Sequence, residues 1–189
     1  MRAIRATENT DTRAWNMVDD DLLSALRRND RAAWAGLYDS LAGEIRGYVA
    51  HIGARSPDDV LGEVMVQVVR DLPRFTGTAA ELRPWVFRIA RNRVIDAGRQ
   101  RSRRPEEVSL DEGAGYMPHH VDREPDLDEL SDLLVRFTDD QREALWLRYG
   151  LDLPLAEAAR IMDREPAAVA ALTARAMNRL RRLLTDDWV

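Results

Sequence analysis

The 189-residue chain contains no cysteine. That rules out a disulfide frame and any thiolate metal site, and His51, His119 and His120 are too few to build a structural zinc site by themselves. The fold has to hold by packing. Lysine is also absent: all 28 cationic residues are arginine, which GC-rich coding explains first and planar-fork recognition of phosphate second. No apolar run approaches the roughly 20 residues that a bilayer span needs, and the opening MRAIRATENTDTRAWNM lacks a secretory apolar core. Both observations imply a cytoplasmic chain without membrane insertion. There is no phosphate-cradling glycine loop, no spaced set of metal ligands and no nucleophile motif, so neither an enzyme nor a cofactor is expected.

What remains is a helical pattern with a hydrophobic fraction of 45%, enough for real cores. Residues 1–18 are polar and unpatterned and read as a flexible leader. From Asp19 onward, Leu22, Leu23 and Leu26, then Trp34, Leu37, Tyr38, Leu41, Ile45, Tyr48, Val49 and Ile52, recur at steps of three and four. Gly53 ends that helix, and Ser56-Pro57 restarts the chain as N-cap and first helical residue. Between Pro57 and Leu72, Val60, Leu61, Val64, Met65, Val68 and Leu72 fill one side. Val66 and Val69 lie on the other, beside Asp59, Gly62, Glu63 and Arg70. A helix apolar on two sides has two surfaces to bury, within its own domain or against a partner.

The stretch TAAELRPWVFRIARNRVIDAGRQRSRR, from Thr78 to Arg104, organises the rest. Thr78 with Glu81 forms a capping box, and Pro84 suits a first turn. Leu82, Trp85, Val86, Ile89, Ala90, Val94 and Ala97 share one broad side, while Arg88, Arg91, Asn92 and Arg99 gather on the other. From Arg83 onward, eight arginines face one carboxylate, Asp96, giving about +7 inside a chain of net charge -5. Arg93 and Asp96, three residues apart on the apolar side, read as a structural ion pair before they read as ligand contacts.

RPWVFRIARNRVID with its trailing arginines resembles the promoter-melting helix of bacterial extracytoplasmic-function (ECF) sigma factors, the small members of the sigma-70 family. DDVLGEVMVQVVRDLPRF is similar to the segment those proteins dock on the polymerase clamp, with Gly62 and Val69 departing from a common glutamine and aromatic. The resemblance implies polymerase contacts at Asp59, Gly62, Glu63, Val66, Val69 and Arg70. It also implies that the loop FTGTAA, with Phe75, Trp85, Arg88, Arg91, Asn92 and Arg99, captures an unpaired base of the minus-ten element. As plain structure, Phe75 and Trp85 are core aromatics.

Twelve acidic residues against two arginines fill residues 105–140, and 105–125 reads as a linker between region 2, at 19–104, and region 4, at 126–189. In the second unit Leu130, Leu133, Leu134 and Phe137 mark a short helix. Thr138 with Gln141 caps the next, and Pro154 and Pro166 open two more. Short helix, tight turn and long basic helix form a helix-turn-helix pattern. The expected fold is therefore all-α: two small helical domains joined by an acidic flexible linker, the second a helix-turn-helix. DDQREALWLRYGLDLPLAEAARIMDREPAAVAALTARAMNRLRRLL resembles the ECF region that reads the minus-thirty-five element.

The resemblance implies core RNA polymerase, promoter DNA and an anti-sigma factor as partners. A one-component regulator that uses only the helix-turn-helix, or a sigma-like decoy, would share much of the pattern; promoter-dependent run-off transcription with core enzyme separates them. The segment that would enter the major groove is rich in alanine, which offers only apolar contact to thymine methyls. Arg164, Glu165 and Thr173 are expected to supply direct readout, and Arg175, Arg179 and Arg182 to hold phosphates. Base substitutions across the upstream element should therefore change affinity less than raising salt does. A titration series on single-substitution duplexes checks this, and a steep loss from one upstream base would contradict it.

Overall fold

The computed structural model describes residues 20–103 and 137–186, with side chains to 101 and 183. The expected leader, the linker and the helix around Leu130 to Leu134 lie outside the described residues, within which every regular element is helical.

α1, Asp20–Arg27, carries Asp20 and Asp21 in its first turn and Arg27 in its last, charges that suit the helix dipole. α2, Arg31–His51, begins at Asp30, whose carboxylate accepts from the Ala33 N–H at 3.0 Å. Leu37, Leu41, Ile45, Tyr48 and Val49 bury its inner side. Gly53, at φ 94°, supplies the left-handed residue that lets the chain leave the helix. α3, Pro57–Asp71, has proline at its first position as expected, although Ser56 makes no side-chain cap bond. A 3-10 turn at Leu72–Arg74 leads to α4, Ala79–Arg103, the longest described helix.

Only part of the expected start of α4 is present. Glu81 accepts from the Thr78 N–H at 3.0 Å and its hydroxyl at 3.2 Å. Pro84, however, is the sixth helical residue and not part of the first turn. Its missing N–H leaves the Ala80 carbonyl without the usual helical donor, a cost that full packing of this segment offsets. Arg93 and Asp96 do not pair. Arg93 reaches Gln67 at 2.9 Å and Glu63 at 3.3 Å on α3, while Asp96 lies 3.6 Å from Arg99.

The second unit opens with α5, Asp139–Leu145, behind the expected reciprocal Thr138–Gln141 capping box. A wide π-helical turn, Trp146–Gly150, leads to α6, Leu155–Met162. Asp163, left-handed at φ 52°, turns the chain into α7, Pro166–Asp186. α7 packs against both α5 and α6 across Ala144, Ala158, Val169 and Ala176, whose small size allows close approach of the helices.

The sequence suggests two separate cores, yet the buried residues of both units form one continuous cluster. α4 makes the junction. Leu82, Val86 and Ile89 serve its own unit, and α6 packs along another side of it. Phe87, left off the apolar stripe in the pattern above, is fully buried and meets Tyr48 edge-on at 5.4 Å. Phe87→Ala should therefore cost about 3–5 kcal/mol, the range for emptying a ring-sized core site. Urea unfolding of the full chain measures it; a loss below about 1 kcal/mol, the scale of a surface change, would place this ring outside the core.

Candidate nucleic-acid interface

A cleft of about 400 Å³ opens where the end of α3, the following loop and α4 meet. Phe75, Trp85, Arg88 and Asn92 line it together with Gln67, Asp71, Arg74 and Ile89. Trp85, Arg88 and Asn92 follow one stripe of α4 at spacings of three and four, so a single helix sets their positions. Phe75 is held differently. The Arg27 guanidinium donates to its carbonyl at 2.8 Å, and its ring lies on Trp85 at 4.8 Å with a 39° tilt. A Cβ at Gly77 would run into the Phe75 ring, so a larger residue there would have to shift the ring. Arg88 and Asn92 are exposed, as is Arg99 two turns further along. Aromatic faces, guanidinium groups and an amide converging on one cleft are the equipment for holding a base and its phosphates.

Arg91 does not belong with them. The sequence pattern places it on the cationic face, but its side chain is only 15% exposed and points into the second unit. Its Nε donates to Glu143 Oε1 at 2.8 Å, and Nη2 lies 3.4 Å from Oε2. The Tyr48 hydroxyl donates to the same Oε1 at 2.6 Å. Burial, reinforced by Glu143, pushes the Tyr48 hydroxyl well above its ordinary range, so it remains a donor. The reason for the difference is angular: Arg91 sits beside Phe87 at the edge of the apolar arc, where α5 and the turn after it cover it. Nearby, Arg83 donates to both oxygens of Glu44 at 2.9 Å, and Arg160 on α6 lies 3.2 Å from Glu81 on α4.

His51 stacks on Trp146 across the same junction, centroids 4.6 Å apart and planes at 19°. Burial lowers the His51 pKa; a backbone hydrogen bond to Arg142 and the Glu143 charge oppose this, while the Arg142 charge adds to it. Pattern reading missed Tyr48, His51, Glu143 and Trp146 as partners because their contacts join residues about 95 positions apart, which helical periodicity does not report.

The other expected site residues divide in the same way. On α3, Asp59, Gly62, Glu63, Val66, Val69 and Arg70 are all exposed and share one face; Val66 is 70% exposed and Val69 48%. Arg70 is held by Asp71 at 2.9 Å. On α7, Thr173 is a correction. It is buried, and its hydroxyl donates to the Val169 and Ala170 carbonyls, so it faces the helix-turn-helix core and cannot read a base. Arg164 is tied to Asp140 at 2.6 Å, Arg175 donates back to Ala171 at 3.1 Å, and Arg179 lies 5.8 Å over the Phe137 ring. Glu165 and Arg182 are exposed.

Fold and site together are those of an all-helical protein among the described residues, with an aromatic and cationic cleft in one unit and a helix-turn-helix in the other. Two family profiles match it: "Sigma-70 region 2" over residues 37–104 and "Sigma-70, region 4" over residues 127–180. The ECF RNA polymerase sigma factor SigC of Mycobacterium tuberculosis is 31% identical over 166 residues, which cover 84% of this chain and 86% of SigC. BldN of Streptomyces coelicolor, also an ECF sigma factor, is 29% identical over 177 residues, 88% of this chain and 66% of BldN. In fold, the chain resembles CnrH, solved with the cytosolic domain of CnrY, at TM-score 0.64 and 20% identity, covering 90% of this chain and 99% of that one. It also resembles the sigma factor RpoE of Bartonella quintana, solved with the anti-sigma factor NepR, at TM-score 0.61 and 22% identity over 78% and 94% of the two chains. The chain belongs to the ECF sigma factors of the sigma-70 family.

A histidine whose folded pKa is lowered contributes fully above its unfolded value of 6.5 and loses that contribution as pH falls through it. Thermal stability of the full chain should therefore decline between about pH 7.5 and about pH 5.5, with His51 contributing at most about 1.4 kcal/mol per pH unit. His51→Phe keeps the stack without the proton and should flatten the decline. Equal slopes for the two proteins would exclude His51 as the titrating group.

Proposed function

We propose that this chain directs core RNA polymerase to promoters and starts transcription by capturing the unpaired minus-ten strand in the cleft between α3 and α4. The observation that carries the reading is the convergence of Phe75, Trp85, Arg88 and Asn92 on that cleft. Flipping a base out of a duplex costs a few kcal/mol, and stacking on an aromatic surface returns about 1–3 kcal/mol per base. The cleft offers both stacking surface and a cation, Arg88, for the adjacent phosphate, with Arg99 further along the same stripe. The volume lies within the range of small-ligand sites.

The exposed stripe of α3 supports docking on the polymerase. Val66 and Val69 supply apolar area that nothing in this chain covers among the described residues, and Asp59, Glu63 and Arg70 rim it. In the second unit, Arg164 and Glu165 lie at the entry to α7 and Arg175, Arg179 and Arg182 along it, suited to an upstream element held mainly by phosphates. Regulation by an anti-sigma factor is part of the same reading, supported by the two fold relatives solved in complexes. The protein itself carries out no bond chemistry; its work is done by binding energy.

Arg88→Ala should leave affinity for core polymerase within about twofold while lowering open-complex formation about tenfold, the size of one lost charged contact. The salt slope of single-strand binding should shrink by about 0.7 for the one phosphate lost. Run-off transcription, permanganate footprinting and a core-binding assay separate these terms. Equal loss of polymerase binding and melting would point to misfolding, and no loss of melting would overturn the assignment.

A further inference from the structure

We infer that Asp71 is a specificity-determining residue of the cleft, favouring a captured base that carries an exocyclic amine over thymine, with Arg70 and Gln67 as its positioning residues. This rests on the reading of the cleft as the strand-binding site and goes beyond it by naming which bases that site accepts.

Asp71 stands where neither helix stability nor phosphate binding would put an acid. It is the last residue of α3, at the end of the helix dipole that disfavours a negative charge. It also lines a cleft that carries Arg74 and Arg88, where it opposes the phosphates that those cations suit. An acid in such a place serves a nucleic acid in one way, by accepting from the edge of a base.

The side chain is held for that task. Arg70 donates to it through two nitrogens, Nε to Oδ1 at 2.9 Å and Nη2 to Oδ2 at 3.3 Å. Gln67, one turn earlier on α3, adds a third bond from its amide. The orientation of that amide is fixed from α4. Arg93 Nε lies 2.9 Å from Gln67 Oε1, and because a guanidinium can only donate, the amide nitrogen is left for Asp71. Hydrogen bonding from Arg70, against the opposing effect of partial burial and with Gln67 adding to it, keeps the Asp71 carboxyl below its ordinary range. It is therefore an acceptor at neutral pH.

A carboxylate has about four acceptor positions, and these partners take three of them. The position that remains suits a single donor. Cytosine, adenine and guanine each carry an amine at the periphery of the ring. Thymine offers only a ring N–H set between two carbonyl oxygens, both of which a carboxylate repels. A base stacked on Trp85 bonds through its edge, where this difference lies.

Homopolymer strands test the assignment without regard to register. Fluorescein-labelled oligodeoxycytidine and oligodeoxyuridine of about 12 nucleotides present an amine and a carbonyl at the same ring position; the full chain is titrated against each by anisotropy at about 50 mM salt. The expected result is about tenfold tighter binding of the cytosine strand, the size of one good base contact. Asp71→Asn provides an amide that donates as well as accepts, so the cytosine strand should weaken and the uracil strand strengthen until they agree within about twofold. A folding defect does not move two ligands in opposite directions. Arg70→Ala leaves the acid in place but free to rotate, and should lower the preference to about threefold. Circular dichroism verifies that both variants are folded.

Equal binding of the two strands by the parent protein overturns the role of Asp71, as does a preference that survives Asp71→Asn. A preference unchanged by Arg70→Ala overturns the positioning role of the arginine. The reading of the cleft is judged separately through Arg88→Ala. If that variant weakens both strands while the parent shows no preference, strand capture stands and the role of Asp71 fails. If neither strand binds, or Arg88→Ala weakens neither, capture in the cleft fails and the inference falls with it.

Discussion

A single buried carboxylate governs how the two units meet. Glu143 is 7% exposed and lies between an arginine and a tyrosine that belong to the other unit. Burying an ion costs several kcal/mol, and only a complete set of partners recovers that cost. Here the set is nearly complete, with three hydrogen bonds on two oxygens. Such a pair adds little net strength compared with an apolar substitute, yet losing one member leaves an orphaned charge at a cost of about 3–5 kcal/mol. Its main effect is on specificity of register: α5 can approach α4 in one position, the one in which Arg91 and Tyr48 both reach the acid.

That constraint explains the crowding of α4. A surface helix usually divides into an apolar stripe and a solvated remainder. α4 instead serves three neighbours. Leu82, Val86 and Ile89 complete the core of the first unit; Arg83, Phe87 and Arg91 face the second; and Trp85, Arg88 and Asn92 line the cleft. Only the last group is left for a ligand. The charge of about +7 that makes the segment conspicuous is therefore not all available. Arg83, Arg91 and Arg93 are committed to Glu44, Glu143 and Glu63, so the free field is concentrated toward Arg88 and the far end of the helix.

Much of this was legible in the sequence, and the misses have two causes. Capping signals located the start of α5, prolines marked the openings of α3 and α7, and three-and-four spacing found the inner sides of α2 and α3. The exposed Val66 and Val69 also follow from period alone. Periodicity, however, reports a side of a helix and not what covers it. Arg91 lies beside Arg88 on the wheel, and the acid that claims it lies 52 residues away. Thr173 failed for a local reason: a threonine in a helix can bond back to the carbonyls of the preceding turn, and here it does so from a buried position. No composition count distinguishes that threonine from one aimed at a base.

The packing of the two units leaves the candidate surfaces unequally exposed. Val66 and Val69 are open to solvent while Arg91 is covered by Glu143, so on the proposed reading polymerase docking needs no rearrangement of the chain. Arg88, Asn92 and Arg99 are exposed as well, and the cleft at Arg88 and Asn92 is lined by residues of the first unit alone. Arg91 serves that surface only through position: the acid that claims its guanidinium is itself held by Tyr48, which ties α4 to both units at once.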